Sequence, residues 1–284
     1  MLLYIHRLHS SISFYTLLHP PTPSYTLLQM PHSFMANSFA YIAPHVMRPV
    51  HTRPESPQSK GCNGPPASFV YCNYNKQTKF DPIIFKAWLQ SLQAVPDSVL
   101  CLQENPVESI KYLRQYIKHF DESLQDRVRF VEFDYSIGPF ETKKRAEALC
   151  NVVLDNFVYG AHATAVEALW AGVPVLTFDY VDAMSGRVGA SALAAIGMPE
   201  LIASSDEEYL EKSIALGTNE SFYTTVRTKL VDSCLADEPM NPFWDLKRYV
   251  GNFERGLEEI WYNFLSGAQP RHIFVEEEDE EEDF

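Results

Sequence analysis

The sequence predicts an α/β domain built on a doubly wound parallel sheet. Three observations point there. From Ser68 onward, short apolar runs alternate with amphipathic helices in the order β-α-β-α-β-α-β-α, the pattern of a parallel sheet with helical crossovers. Two of the runs, NVVLD (Asn151–Asp155) and PVLTF (Pro174–Phe178), are short, strongly apolar and rich in β-branched residues, as strands buried on both faces are. Between them lie a loop, NFVYGA, and a helix of good formers, HATAVEALWAG, stopped by Gly172 and Pro174.

The other elements follow in order. SFVYCN reads as the first strand of the domain and YNKQTKFDP as a polar loop. Asp81–Pro82 opens an amphipathic helix, PIIFKAWLQSLQAV. Then come strand SVLCLQ, helix VESIKYLRQYIKHF, strand RVRFVEF and helix ETKKRAEALC, which leads into NVVLD. After PVLTF, the stretch DYVDAMSGRVGASALAAIGMPELIA reads as mostly helix. SSDEEYLEKSIALG is a helix capped by Ser204 or Ser205, and SFYTTVRTKLVDSCL is another. A long helix runs from about Asp245 to Ser266. Its Tyr249, Phe253, Leu257, Ile260, Trp261 and Phe264 recur at helical spacing and are expected to face a core.

Composition bounds the possibilities. The chain has 284 residues, of which 46% are apolar, enough for one large packed domain or two small ones. No run of eighteen apolar residues occurs, so no transmembrane helix is expected. The opening MLLYIHRLHSSISFYTLLHPP is broken by His6, Arg7, His9 and serines, and reads as neither signal peptide nor anchor. The five cysteines (Cys62, Cys72, Cys101, Cys150, Cys234) lack CxxC spacing and suit reduced thiols in a cytoplasmic or nuclear protein. Net charge is −14, of which the acidic run Glu276–Asp283 supplies eight, leaving −6 for the rest. Such a run is solvating and argues against nucleic acid as a partner.

Three regions are expected. Residues 1–67 have leader and linker composition, mostly disordered, with one distinct island at 30–45. Residues 68–275 form the folded domain, and 276–284 an acidic disordered tail.

The chemistry is expected at the carboxyl edge of the sheet, where open α/β sheets bind ligands. The loop after NVVLD brings His162 and Thr164 to the N-terminus of a helix, where unsatisfied N–H groups and the helix dipole favour an anion. Glu167, over a turn further on, could accept the two hydroxyls of a ribose. These residue types fit a nucleotide diphosphate, although a histidine before a helix is also an ordinary N-terminal residue. The loop Asn73–Lys79 opens onto the same edge. Asp179 and Asp182 sit there too, and a carboxylate pair would suggest a glycosidase.

The run H-A-T-A-V-E-A-L-W-A-G-V-P-V-L-T (162–177) resembles the nucleotide-sugar signature of the O-linked N-acetylglucosamine transferase family, near H-T-T-x-x-D-x-L-W-A-G-x-P-x-V-T. Here the first Thr is Ala163 and the Asp is Glu167. NYNKQTKFDP resembles the family's F-N-Q-x-x-K-I-D-P, with Lys79, Asp81 and Pro82 aligned; the family's Gln falls at Lys76, beside Gln77. S-G-R-V-G-A-S resembles S-R-V-x-x-S and aligns Arg187. Lys143, Lys144 and Arg145 stand near the family's H-x-x-R, and Asp134–Glu141 looks like a small insertion. The island MPHSFMANSFAYIAPH resembles the segment leading into the family's second catalytic domain, with His32 as a turn, interface or site residue. Further likenesses are LGT at 216–218, NPFWDLKRY near Asn241 and SGAQPRHI before the tail.

The resemblance implies the Rossmann-like C-terminal half of a GT-B enzyme. Its activity is inverting transfer of N-acetylglucosamine from UDP-GlcNAc to Ser or Thr of proteins. Lys79 inherits the catalytic role of neutralising the leaving diphosphate. Lys76, Gln77, Lys79, His162, Ala163, Thr164, Glu167 and Arg187 inherit donor binding. No metal or other cofactor is implied, no D-x-D signature appears, and the glycosidase reading loses ground. The family's helical repeats and its first GT-B domain, with an S-D-F-x-x-H-P histidine, are not matched here, so the chain reads as a truncated donor half that pairs with a missing N-terminal domain. Two alternatives stay open: a non-catalytic nucleotide-sugar-binding or interaction module, and a protein O-fucosyltransferase relative using GDP-fucose.

Overall fold

The computed structural model describes residues 2–5, 27–42, 62, 67–132, 150–180, 183–235 and 240–277. Two sheets organise them. The larger has six strands, all parallel: β3 (Phe69–Asn73), β4 (Ser98–Gln103), β5 (Val128–Val131), β6 (Val152–Leu154), β7 (Val175–Phe178) and β8 (Ile202–Ala203). Their order across the sheet is β5-β4-β3-β6-β7-β8. The chain winds outward from β3 to β5, returns to lay β6 beside β3, and winds out the other way, so the order reverses between β3 and β6. β3, β4, β6 and β7 are buried at every position, which is why they read as apolar runs.

The crossover helices form where their caps dictate. Asp81 accepts hydrogen bonds from the amides of Ile83 and Ile84 and, with Pro82, starts α2 (Pro82–Ala94). Ser205 caps α6 (Asp206–Thr218), and Asp245 caps α8 (Leu246–Leu265). α3 spans Val107–Asp121, α4 Ala163–Trp170, α5 Val188–Ala195 and α7 Glu220–Leu235. α2 and α6 lie against each other, joined by the Trp88 indole N–H donating to the Tyr209 hydroxyl at 3.2 Å and by Ser91 and Ser213 at 2.6 Å. Trp88, Tyr209, Phe178, Leu100 and Leu102 are wholly buried in one core, each apolar side chain contributing about 1.5–3 kcal/mol.

The smaller sheet was not legible in the sequence. β2 (Leu27–Met30) lies between β1 (Leu2–Ile5) and β9 (Ile273–Phe274), all parallel. Leu28, Met30 and Ile273 are buried against Tyr249, Phe253, Ile260 and Val275. α8 comes so close that a Cβ on Gly256 would sit 2.7 Å from a Leu28 methyl. The described residues before Ser68 thus include 2–5 and 27–42, the latter overlapping the island at 30–45. Asn37 and Phe34 tie residues 31–42, including the short helix α1 (Phe39–Ile42), to the C-terminal part: the Asn37 amide donates to Phe243 O at 2.7 Å, and the Tyr249 hydroxyl to Phe34 O at 3.0 Å.

Other expectations are corrected. Among the described residues of 179–203, helix is confined to Val188–Ala195 and short 3₁₀ turns. On α8, Tyr249, Phe253 and Ile260 face the small core, but Leu257, Trp261 and Phe264 are exposed, the last two at 57% and 69%. The acidic tail is held at its start: Glu277 lies 2.9 Å from His32 and 3.0 Å from Arg248. His32 reaches it from a left-handed backbone, φ 57°. Four cysteines are not scattered: Cys62 lies beside Cys101 and Cys72 beside Cys150, each pair with Cα atoms 5.9 Å apart, within disulfide reach. Cys234 is a thiol. The expected helix 141–150 (apart from Cys150), the basic cluster Lys143–Arg145, the insertion 134–141 and Asp182 lie outside the described residues. Among the described residues no helix is long and apolar enough to cross a membrane.

Candidate functional site

Two loops leave adjacent strands at the point where the strand order reverses. One follows β3. Asn73 ends the strand, Asn75 is buried, and a 3₁₀ turn, Gln77–Lys79, lifts Lys79 over the edge. The other follows β6 and runs from Asp155 to His162 before α4. This is the switch point of an open α/β sheet, where crevices form between diverging loops.

Lys79 joins the two. Its Nζ donates to Asn75 Oδ1 at 3.0 Å on its own loop and to Gly160 O at 3.2 Å on the other. It stands 4.0 Å from the centroid of the Tyr159 ring, a cation–π contact. Burial lowers the Lys79 pKa and the nearby Asp155 charge opposes that shift.

His162 sits at the N-terminal end of α4, its ring edge-on to Tyr159 at 5.2 Å. Its Nε2 lies 3.1 Å from Ser185 O. A carbonyl only accepts, so in the neutral ring the proton is on Nε2 and Nδ1 carries the lone pair. Burial lowers the His162 pKa, the Ser185 hydrogen bond raises it, and Lys79 lowers it again. No side chain caps α4. The first-turn amides, those of Ala163 and Thr164 among them, therefore point an uncompensated dipole end at the crevice.

The sequence-predicted residues do not all converge. Lys79 and His162 meet around Tyr159, while Ala163, Thr164 and Glu167 lie on α4, which His162 opens. Arg187 follows the Met184–Gly186 turn, whose Ser185 carbonyl also accepts from the Gly160 amide at 2.9 Å. Lys76 is exposed at the start of the 3₁₀ turn. Gln77 points elsewhere. Its Nε2 donates to Gln103 O at 2.7 Å and its Oε1 accepts from Ser109 Oγ, so the side chain braces the β4–α3 connection on the opposite side of β3 from His162. Asp179 is exposed at the end of β7. Among the described residues no three His, Cys, Asp or Glu side chains converge to hold a metal ion.

Residues 58–253 match the model of glycosyl transferase family 41. The chain belongs to that family. It is 29% identical over 211 residues to the Caenorhabditis elegans UDP-N-acetylglucosamine--peptide N-acetylglucosaminyltransferase, covering 74% of this chain and 17% of that one. It is 30% identical over 255 residues to the probable UDP-N-acetylglucosamine--peptide N-acetylglucosaminyltransferase SEC of Arabidopsis thaliana, covering 89% of this chain and 25% of the relative. The family 41 chain thus spans a quarter or less of the length of these two relatives. Among solved structures it resembles a Thermobaculum terrenum O-GlcNAc transferase mutant (TM-score 0.52, 24% identity, 70% of this chain, 38% of that one). It also resembles a sucrose-phosphate synthase from Thermosynechococcus elongatus (TM-score 0.51, 12% identity, 83% of this chain, 53% of that one). Both likenesses show the GT-B fold of the family 41 chain.

Three site residues were given no role from the sequence, although Asn75 lies in the F-N-Q-x-x-K likeness. Tyr159, 47% exposed, contacts both Lys79 and His162. Asn75 orients Lys79. Asp155, wholly buried, underlies the whole loop. Only its place at the end of an apolar strand marked it.

Proposed function

We propose that this chain supplies the nucleotide-sugar donor site of a protein O-GlcNAc transferase. The reaction is inverting transfer of N-acetylglucosamine from UDP-GlcNAc to a Ser or Thr hydroxyl of a protein. Residues 68–275 are the donor-binding unit, working with an N-terminal catalytic domain as partner. One observation carries this reading: the Lys79 ammonium reaches across the switch point to Gly160, three residues before the uncapped N-terminus of α4. A fixed cation and a helix N-terminus facing one crevice are what a diphosphate requires.

The roles follow from chemistry. The acceptor oxygen attacks the anomeric carbon from the face opposite UDP, its hydroxyl proton passing to solvent or to a base of the partnering domain, and the bond to the diphosphate breaks with its electron pair leaving on UDP. Lys79 and the amides of Ala163 and Thr164 offset that charge. His162 meets a phosphate oxygen as a donor once its ring is protonated or released from Ser185. Glu167 takes the ribose hydroxyls, while Lys76 and Arg187 border the crevice. Gln77 has no part.

A second reading, a nucleotide-binding module that engages proteins without transfer, is favoured by the exposed Trp261 and Phe264 on α8. Calorimetric titration with UDP and GDP, on wild type, Lys79→Ala and His162→Ala, tests the donor site. Micromolar UDP binding lost in both variants is the expected result; a folded wild-type chain that binds neither nucleotide overturns it. Sugar transfer to a protein acceptor then separates enzyme from module.

A further inference from the structure

Beneath the crevice lies a chain of buried polar groups. The Asp155 carboxylate accepts from the Ala161 amide at 2.6 Å and the Asn156 amide at 2.8 Å through Oδ1, and from the Thr177 hydroxyl at 2.8 Å through Oδ2. The Asn156 side chain accepts from Asn73 Nδ2 at 3.0 Å, Asn73 Oδ1 accepts from the Asn75 amide at 2.9 Å, and Asn75 Oδ1 accepts from Lys79. Asn73, Asp155, Asn156 and Thr177 are wholly buried, and Asn75 nearly so. The network therefore runs from Lys79, under the crevice, to the residue preceding His162.

We propose that Asp155 is the positioning residue of this site, its buried carboxylate holding the 156–162 loop in place and its charge holding the Lys79 ammonium over that loop. The assignment rests on reading the crevice as a nucleotide-diphosphate site. Asp155 closes the loop into a ring by bonding the amides at both its ends, Asn156 and Ala161. The backbone packs closely against it at two places: a Cβ on Gly189 would lie 2.8 Å from Oδ2, closer than a side chain can sit, and one on Gly160 would make a tight 3.1 Å contact. A carboxylate buried this deeply is costly unless it is bonded and charge-compensated. Three donors bond it, and the Lys79 charge offsets a further part of a burial cost that still exceeds them. The other titratable group packed on Asp155 is Tyr209, whose hydroxyl donates to the Asp155 main-chain oxygen at 3.0 Å. Lys79 itself faces Asp155, His162 and Tyr159. Asp155 touches no ligand; it acts through Ala161, His162 and Lys79.

The test uses the full chain with three readouts: UDP affinity by calorimetry, exchange of the Ala161 amide, and the titration of Lys79 followed by NMR at its ε-carbon. Asp155→Asn keeps the shape but loses the charge. UDP binding is expected to weaken about tenfold or more, Ala161 to exchange faster, and Lys79 to lose its proton at lower pH than in wild type. Thr177→Val, which removes one donor without changing size, is expected to share the first two effects, and Thr177→Ser to restore them. A folded Asp155→Asn with wild-type affinity and wild-type Lys79 titration overturns the proposal. If that variant does not fold, Thr177→Val with wild-type affinity and Ala161 exchange overturns it. If wild type itself binds no UDP, the donor reading fails, and the Ala161 and Lys79 measurements alone decide for or against Asp155.

Discussion

Lys79 and Gly160, 81 residues apart in sequence, are joined by a 3.2 Å hydrogen bond from the ammonium to the carbonyl. That bond spans the two halves of the sheet. It makes the crevice one site, since neither loop presents both a cation and a helix N-terminus.

Tyr159 covers the ammonium, so its ring should matter and its hydroxyl should not. Tyr159→Ala is expected to weaken UDP binding by a few-fold, in line with about 0.5–1 kcal/mol for an exposed cation–π contact. Tyr159→Phe should bind as wild type. Calorimetry on the pair checks this, and equal loss in both would shift the weight to the hydroxyl.

His162 gives a pH dependence. Burial lowers its pKa, so the ring is neutral in the ligand-free site at pH 7. A bound diphosphate favours the imidazolium, so binding takes up a proton. UDP affinity should therefore rise as pH falls through the raised value of the complex, and level off below that of the empty site. The nucleotide's own phosphate also titrates in this range, so the measurement is the difference between wild type and His162→Ala. A constant difference across pH 5–8 contradicts the assignment.

Asp155 gives a second, of opposite origin. Burial pushes its carboxyl up to about 6, against the pull of its hydrogen bonds and of Lys79. The folded chain then holds this proton more tightly than the unfolded chain does. Its contribution to stability is largest below the unfolded value and declines as pH rises through about 6. Relative to Asp155→Asn, wild type should thus gain roughly 2 kcal/mol between pH 7 and pH 4. Denaturant melts at several pH values measure it.

Gly189→Ala should destabilise the chain. The added methyl meets Asp155 Oδ2 at 2.8 Å and Thr177 Oγ1 at 3.0 Å, both immobile in the core. Overpacking of this kind costs about 1–3 kcal/mol, a drop of several degrees in Tm. A Tm at or above wild type would show that the loop has room to give.

Glu277→Gln loosens the start of the tail from His32 and Arg248. The pair is partly exposed, so global stability should change by no more than about 1 kcal/mol. Proteolysis should instead quicken within residues 31–42, and mapping the early cuts by mass spectrometry tests that.

Much of the larger sheet could be read directly, because β3, β4, β6 and β7 are buried on both faces and leave unbroken apolar runs. Asp81 announced its helix by the residue that follows it. Lys79 and His162 were singled out because they stand on loops at one edge and within motifs that resemble the family's. Lys76 and Gln77 could not be separated: neighbours in a 3₁₀ turn point apart, and only the turn's position decides which faces β4. β2 and β9 are four and two residues long and pair across the whole chain, so neither has a local pattern. Asp155 was hidden for a related reason, as its partners lie at 156, 161 and 177 and are mostly backbone. The exposed Trp261 obeys the same helical spacing as the buried Tyr249, and spacing cannot say where a core ends.

The pairing of β2 with β9 also bears on the order in which the chain folds. The Leu27 amide donates to His272 Nδ1, 245 positions along the chain. Closing so long a loop gives no return until the intervening structure has shortened it. The small sheet is therefore expected to assemble last. A probe on Leu28 or Met30 would time the end of folding, while one on β3 would time its middle.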